Sequence, residues 1–510
     1  MKQIGFKNFR RFEDFPTIDL GEITFLVGKN NSGKSTLVKA ILLIIDYFKN
    51  QKIGTFAFDG KVLNDANVVS FKRTLHNRAK EDIISFNFTI RNFNCEITIT
   101  GNENDTKAKV NSLKLTALKD GLEVDINLTG TPVIRIRREY SVVFVNDEIL
   151  TQALDRLKEL EEELASIPDD DIIEFIYTSG AIEAQKKRIA EYKKVNQKKF
   201  NSYEIAYQLP SAENYSLSEI IYDVIRLNRE AKKNNKKTDD LVNIQSLEAD
   251  EKLIIDKIDI FSNYLSKLDL SYFGADSHKQ SALLSIKENN NTLTQAIHNY
   301  YQLRIQGGTE EYSFVKTWMD KFEIGQDFSL ECIEGEVYKL DVFEDDEEKQ
   351  YPINIADKGM GSLQSMKLIF EVIPAIHQYN KDIANGKQPK NSTLIIEEPE
   401  LNIHPKLQSI LAEFFYFINK KYKIRLIIET HSEYIIRKAQ TIALSENLIN
   451  IDNPELDSNP FNIYYFHAEE GPYPMIFTKE GRFHRNFGEG FFDEATNSTK
   501  KLLKLNLLKK

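Results

Sequence analysis

The feature that most constrains this chain is the octapeptide Gly28-Lys29-Asn30-Asn31-Ser32-Gly33-Lys34-Ser35. It satisfies the phosphate-loop pattern G-x-x-x-x-G-K-[ST] in full. Its flanks fit the same pattern. Residues 23–27 are an apolar strand signal, and Leu37, Val38, Ile41, Leu42, Ile44 and Ile45 give a helix over about 33–48 a wide apolar face. Gly28 and Gly33 allow the backbone angles that turn amide N–H groups around a β-phosphate. The helix start adds partial positive charge. Lys34 is placed to reach the β- and γ-phosphates, and the Ser35 hydroxyl to ligate Mg²⁺. Asn30, Asn31, Ser32 and Thr36 complete the expected nucleotide contacts, so ATP and Mg²⁺ are the expected ligands.

A phosphate loop needs acids on a neighbouring strand. Residues 393–396 form a continuous apolar run that ends in Glu397 and Glu398. Acids at the carboxyl end of a buried strand stand where open α/β sheets place their ligands. Glu397 is expected to hold Mg²⁺ through water, and Glu398 to orient and deprotonate the attacking water. The plainer alternative is two solvated carboxylates in a turn. A helix with Leu407, Ile410, Leu411, Phe414, Phe415 and Ile418 follows, then a second apolar strand over 424–428. That order is a β-α-β unit whose strands are covered on both faces. The second strand runs into Glu429-Thr430-His431-Ser432-Glu433, where His431 is placed to sense the γ-phosphate.

The rest of the chain frames these motifs. Residues 1–148 carry alternating apolar runs typical of strands, for example 83–88 and 133–136. Residues 149–270 are charged and helix-periodic, with Leu154, Leu157, Leu160, Leu164 and Ile167 in steps of three and four. They read as a helical, partly coiled-coil insertion too interrupted to be a long arm. Residues 271–510 return to the mixed pattern. The expected fold is therefore α/β, a split P-loop head with mixed and parallel sheets and flanking helices, interrupted by a helical subdomain. The net charge of −10 excludes a generally polycationic nucleic-acid binder. Cys95 and Cys332 form no disulfide framework or zinc pattern, and no signal segment or membrane span is evident, which points to the cytoplasm.

The ordered set NFRRF, GKNNSGKST, EEPELNIHP and ETHSE resembles the ABC-type ATPases with SMC-like heads. Within them it is similar to the prokaryotic branch of the OLD-family ATPase domain and the ATPases of the anti-phage systems Septu and PARIS. The likeness covers residues 1–100 and 270–495. It implies a Walker A lysine and hydroxyl at Lys34 and Ser35, a Walker B acid at Glu397, a catalytic base at Glu398, a D-loop over 401–405 and a switch histidine at His431. It also implies a signature segment within 357–364, where Gly361, Ser362 and Gln364 would cap the γ-phosphate bound by a second head. This stretch departs from the usual LSGGQ. The glutamine of a Q-loop is missing from residues 71–77, where His76 or Asn77 stands in its place. The implied activity is Mg-dependent ATP hydrolysis by a homodimer or higher homo-oligomer. The implied role is a sensor or scaffold in anti-phage defence that controls a separate effector, a nuclease or toxin, after a DNA or phage-protein trigger. Rival readings are a RecF-type repair ATPase and a scaffold that holds ATP without hydrolysing it.

Weaker features carry paired readings. Arg10 and Arg11 are either nucleotide contacts or solvated surface. Arg135, Arg137 and Arg138 are either DNA-phosphate contacts or an ordinary solvated face, and the solvated face is expected. Trp318 is read as core. The basic, amphipathic run from Lys500 to Leu505 is expected to pack on its own domain, not on a partner or a membrane. The segment from Gly490 to Glu494 resembles tails of the same branch and has no assigned mechanism.

Overall fold

The computed structural model describes residues 1–138 (without 51, 59, 61–67, 69, 103 and 104), 147–166, 178–187, 189, 203–208, 214–233, 238–266, 268–275, 281–286, 292–346, 349–390, 392–449, 458–489 and 491–507. Its described strands form three sheets.

The first sheet is antiparallel. It contains β1 (Gln3–Phe9) and β2 (Phe12–Asp19), then β5 (Ile83–Ile90), β6 (Phe93–Thr100), β7 (Lys107–Ala117), β8 (Leu122–Asn127), β9 (Val133–Arg138) and β10 (Tyr203–Gln208). Their order is β10-β9-β8-β7-β6-β5-β1-β2, with β4 (Thr55–Ala57) paired beside β7. The central sheet runs β11-β16-β17-β3-β18-β19. Its strands are β3 (Ile23–Gly28), β11 (Asp269–Phe273), β16 (Ser392–Glu397), β17 (Arg425–Thr430), β18 (Phe461–His467) and β19 (Gly471–Pro474). All its neighbours are parallel except β18 and β19. A small sheet holds β12 (Leu284–Ser285), β13 (Asp327–Ile333), β14 (Val337–Asp346) and β15 (Lys349–Asn354).

The helices named below are α1 (Lys34–Lys49), α2 (Phe71–Thr74), α3 (Asp147–Ser166), α4 (Leu217–Lys233), α5 (Thr238–Ser266), α6 (Thr292–Gln302), α7 (Glu310–Lys321), α8 (Met360–Ala384), α9 (Pro405–Tyr422), α10 (Glu433–Ser445) and α11 (Glu494–Leu507). The expected β-α-β unit is β16-α9-β17.

Every residue of β3 is buried. Successive side chains point to opposite faces, so the central sheet serves two cores. Leu26, Ile395, Ile427 and Phe466 join α1, α5 and the first sheet. Phe25, Leu394, Leu426 and Ile463 join α8, α9, α10 and Trp318 on the other side. Strands covered on both faces require near-continuous apolar runs, and the runs at 393–396 and 424–428 supply them. The split in sequence closes in space: β3 from the first part of the chain lies between β17 and β18 from the last part.

The charged stretch 149–270 holds more than helices. Its Tyr203, Ile205 and Tyr207 alternate with Glu204, Ala206 and Gln208, and the segment extends the first sheet as β10, in register with β9. Helices α4 and α5 form an antiparallel pair, joined by Arg229 to Glu251 at 2.7 Å and Ser218 to Asp259 at 3.2 Å. Ile220, Val224, Ile254, Ile258 and Phe261 bury their apolar sides in the core shared with α1, so this pair is a cover on the head.

Arg135 and Arg137 reach Asp125 and Glu123 across the strand pair at 3.6 and 3.7 Å. Their charge is met by β8, as the solvated-face reading expects. Trp318 is buried as expected. The tail differs from expectation. Leu502, Leu503 and Leu505 of α11 are 61%, 59% and 46% exposed, so the apolar stripe is not packed on its own domain. Of the segment from Gly490 to Glu494, Gly490 lies outside the described residues, and Phe491 and Phe492 pack inward. No described helix is long and apolar enough to cross a membrane.

Candidate active site

The phosphate loop is the turn between β3 and α1. Gly28 has φ 154° and Gly33 φ 107°, angles that L side chains rarely adopt. Space demands glycine there too. A Cβ on Gly28 would stand 2.7 Å from the Phe466 carbonyl oxygen, and one on Gly33 would stand 2.4 Å from the Phe12 ring. No side chain caps the start of α1, so its first turn is open to an anion. The Ser32 hydroxyl is buried without a hydrogen-bond partner. Lys34 folds back over the loop, its Nζ donating to the carbonyls of Gly28 at 3.0 Å and Lys29 at 3.1 Å.

The acids reach this loop from two strand ends, and the nearer one is not the pair singled out in the sequence. Glu429, at the end of β17, accepts from Ser35 Oγ at 2.9 and 3.1 Å and lies 3.6 Å from Lys34 Nζ. Strand β17 stands between β16 and β3, so Glu397 is one strand further from the loop. Glu397 is directly in register with Glu429. Burial, and then the Glu429 charge beside it, push the Glu397 carboxyl up to about 7, while a Tyr272 hydrogen bond opposes this. One oxygen of Glu397 and one of Glu400 are buried without a partner.

Glu398 sits in a left-handed turn with φ 46°, and its N–H donates to the Glu429 carbonyl at 2.8 Å. Its Oε1 is 3.7 Å from His431 Nε2. Burial and then the Lys34 charge lower the His431 imidazole to about 4, so the ring is neutral at pH 7. The His431 backbone N–H donates to the Glu400 carboxylate at 2.6 Å. Ser432 caps α10 by accepting from the Ile435 N–H at 3.3 Å. These bonds fix the backbone of the strand-to-helix turn that carries the ring. The carboxylates of Glu398 and Glu429 and the His431 ring each bring a ligand atom within 4.8 Å of the others.

A cleft of about 470 Å³ opens over the loop, lined by Asn31, Ser32, Gly33, Lys34, Ser35, Thr36, Glu429 and a set of basic residues. Arg10, Arg11, Lys39 and Arg73 supply these, so the cleft suits a polyanion. Arg10 and Arg11, read in the sequence either as nucleotide contacts or as solvated surface, both line the cleft. Arg11 donates to the Asn31 carbonyl, and also to the Ala468 carbonyl at 3.2 Å. His76 turns away from chemistry: its Nδ1 meets the Arg10 carbonyl at 2.7 Å and pins the β1–β2 turn. Asn77 lines the cleft where a Q-loop side chain is expected. Asn30 lies exposed on the loop.

Gly361 and Ser362 do not line this cleft. They begin α8, half-buried, beside exposed Gly359. Gly361 packs on the turn that follows Glu398, where a Cβ would stand 2.7 Å from the Asn402 carbonyl oxygen. Gln364 is buried in α8. Sequence reasoning left the 490–494 segment without a mechanism. In the structure the Phe491 ring centroid is 6.5 Å from that of His431 and 5.2 Å from that of Tyr465.

The carboxylates of Glu398 and Glu429 beside the Ser35 hydroxyl, with orphaned oxygens on buried Glu397 and Glu400, fit a hard divalent cation. The unpaired Ser32 hydroxyl and the open helix start fit a phosphate.

Residues 1–436 match the family described as the AAA ATPase domain. The chain belongs to that family. The matched span of this AAA ATPase includes Lys34, Glu397, Glu398, Glu429 and His431, and ends before β18 and Phe491. Among solved structures it is similar to the Smc head domain with an extended coiled coil bound to the C-terminal domain of ScpA, from Pyrococcus furiosus, at 10% identity and TM-score 0.32, covering 98% of each chain. It is also similar to the SMC head domain from Thermotoga maritima, at 8% identity and TM-score 0.33, covering 93% of this chain and 98% of that one. No curated protein matches the AAA ATPase chain.

Proposed function

We propose that this AAA ATPase binds and hydrolyses Mg-ATP, and that two heads close on ATP, each signature segment meeting the other's nucleotide. The observation that carries the reading is the meeting of Glu398 and His431, 3.7 Å apart, beside the loop that holds Lys34 and Ser35. Lys34 leaves its two carbonyl partners to reach the phosphates. Ser35 and Glu397 would hold the cation. The cation, when bound, neutralises phosphate charge as the γ-phosphoryl leaves. Glu398 takes the proton of the attacking water, and neutral His431 contacts the γ-phosphate from the neighbouring strand end. Gly361 and Ser362 at the open start of α8 would cap a second head's γ-phosphate; their position outside their own cleft supports this reading.

The cellular role we attach to this chemistry is that of a cytoplasmic sensor or scaffold in anti-phage defence. A DNA or phage-protein trigger would release a separate nuclease or toxin. Its support is the resemblance carried by EEPELNIHP and ETHSE. Arg135 and Arg137, already met by acids, lend the repair reading no support.

Glu398→Gln tests the chemistry. A working enzyme loses turnover by about 10²–10⁴-fold, retains bound ATP and shifts to dimer in size-exclusion chromatography with ATP. Wild-type protein that binds ATP and never hydrolyses it would leave only the scaffold. Strong stimulation of hydrolysis by duplex DNA would restore the repair reading. Phage plating on cells carrying the chain with its neighbouring genes, wild-type against Lys34→Ala, tests the defence role.

A further inference from the structure

We propose that Glu429 is the acid that holds the nucleotide's divalent cation directly, together with Ser35, and that without nucleotide the same carboxylate keeps Ser35 and Lys34 in position. The proposal rests on the Mg-ATP reading above and assigns a residue to which that reading gives no role.

Glu429 is 6% exposed, and a carboxylate that deep needs partners. Its partners are the two side chains that a Mg-phosphate ligand requires: Ser35 Oγ at 2.9 Å from Oε2, and Lys34 Nζ at 3.6 Å from Oε1. Two adjacent oxygen ligands of an octahedral Mg²⁺, at ~2.0–2.1 Å from the ion, stand ~2.9 Å apart. The Ser35–Glu429 pair already has that spacing, so a cation can replace their hydrogen bond without moving either oxygen. Lys34 is freed in the same step, because the cation takes over as the counter-charge of Glu429.

Strand order argues the same way. Adjacent strands lie ~4.8 Å apart. Glu429 is one spacing from β3, whereas Glu397 is two, ~10 Å. That distance suits a contact through water for Glu397 and a direct one for Glu429. Glu429 also reaches the hydrolytic side, since its carbonyl accepts the Glu398 N–H at 2.8 Å and holds Glu398 in its left-handed turn. One residue therefore joins the cation position to the water-activating acid.

The test compares Glu429→Gln with Glu397→Gln in the full chain. Mn²⁺ affinity is read by electron paramagnetic resonance in the presence of a non-hydrolysable ATP analogue. ATP affinity is read by calorimetry with Mg²⁺ and with EDTA. Glu429→Gln is expected to weaken Mn²⁺ binding by at least ~10-fold and to lose the Mg²⁺-dependent part of ATP affinity, with ATP binding in EDTA kept. Glu397→Gln is expected to keep most of both. Glu429→Asp, which keeps the charge and withdraws it by one methylene, is expected to fall between them, and it carries the test if Glu429→Gln melts early. The reverse ranking, with Mn²⁺ kept by Glu429→Gln and lost by Glu397→Gln, makes Glu429 a counter-ion for Lys34 and overturns the proposal. Wild-type protein whose ATP affinity ignores Mg²⁺ would instead bring down the Mg-ATP reading itself.

Discussion

The ends of β16 and β17 look alike in sequence and do different work in space. Each strand has six residues and an apolar middle, and each carries an acid at or next to its last position, the two acids in register. The β16 end carries Glu397 and Glu398, and the β17 end carries Glu429 and, past Thr430, His431. Yet only the β17 acid touches the phosphate loop. The cause is the order of the sheet: β17 is inserted between β16 and β3. Which acid serves a bound ion is thus settled by which strand lies beside the loop, a property of the assembled sheet. The two ends are coupled all the same, through the Glu398 N–H on the Glu429 carbonyl and through Glu398 and His431 at 3.7 Å.

The largest expected effect tests that coupling. If Glu398 and His431 act on one water and one phosphate, their losses do not add. Glu398→Gln is expected to lower kcat by ~10²–10⁴-fold, His431→Ala by less, and the double variant by no more than Glu398→Gln alone. A double variant whose loss is the product of the singles would show two strand ends working independently. Steady-state phosphate release at saturating Mg-ATP measures all three.

Gly361→Ala probes the β16 side alone. The added methyl would stand 2.7 Å from the Asn402 carbonyl oxygen, a backbone atom that cannot swing aside. The start of α8 must then part from the turn after Glu398. Overpacking of this kind costs ~1–3 kcal/mol. Urea denaturation is expected to show that loss. ATP affinity is expected to hold, since Gly361 is outside its own chain's cleft. Weaker binding of ATP by the isolated monomer would contradict that placement.

The two ends should also titrate in opposite directions in protein free of nucleotide and divalent cation. His431 is lowered from 6.5 to about 4, so the unfolded chain binds the proton more readily. Its contribution is complete above pH 6.5 and is lost as pH falls through 4. Glu397 is raised from 4.5 to about 7, so the folded chain binds the proton more readily. Its contribution is complete below pH 4.5 and is lost as pH rises through 7. Melting temperatures across pH 4–8 should show this. Relative to wild type, Glu397→Gln gains stability as pH rises from 4.5 to 7, and His431→Asn gains it as pH falls from 6.5 to 4. Parallel curves would mean that the two ends share one environment.

Much of this was legible in the chain because it is local. The phosphate loop, its strand and helix, the β16-α9-β17 unit and the acid pair each occupy one short stretch, and apolar periodicity reports such stretches well. What escaped depends on distant parts meeting. Glu429 was visible as a letter in ETHSE, but its contact with Ser35 exists only because β17 lies next to β3. The His76 bond to Arg10, which makes that histidine a clasp, needs the turn between β1 and β2 to meet residues far along the chain. The β10 segment has a strand's alternation, yet it is short and embedded in helix-forming sequence, so the neighbourhood masked it. The stripe of α11 was expected to pack because amphipathic helices usually do. Periodicity says which face is apolar and not whether anything covers it.

Phe491 gives the smallest effect and the finest probe of the comparison. Its ring lies over the β17 end, 6.5 Å from His431, in a cluster with Phe487, Phe492 and Tyr465. Burial is the main cause of the lowered imidazole, and the Lys34 charge is the second. Phe491→Ala admits water to the ring and leaves Lys34 in place. The His431 titration, followed by NMR of its ring protons, should therefore move up from about 4 and stop short of the free value of 6.5. A return all the way to 6.5 would assign the whole shift to the aromatic cover. No movement would assign it to the walls of the strand end itself, where Glu398 and Glu400 meet the turn. In that case the C-terminal segment has no hold on the β17 side, and the two ends differ only in their distance from the loop.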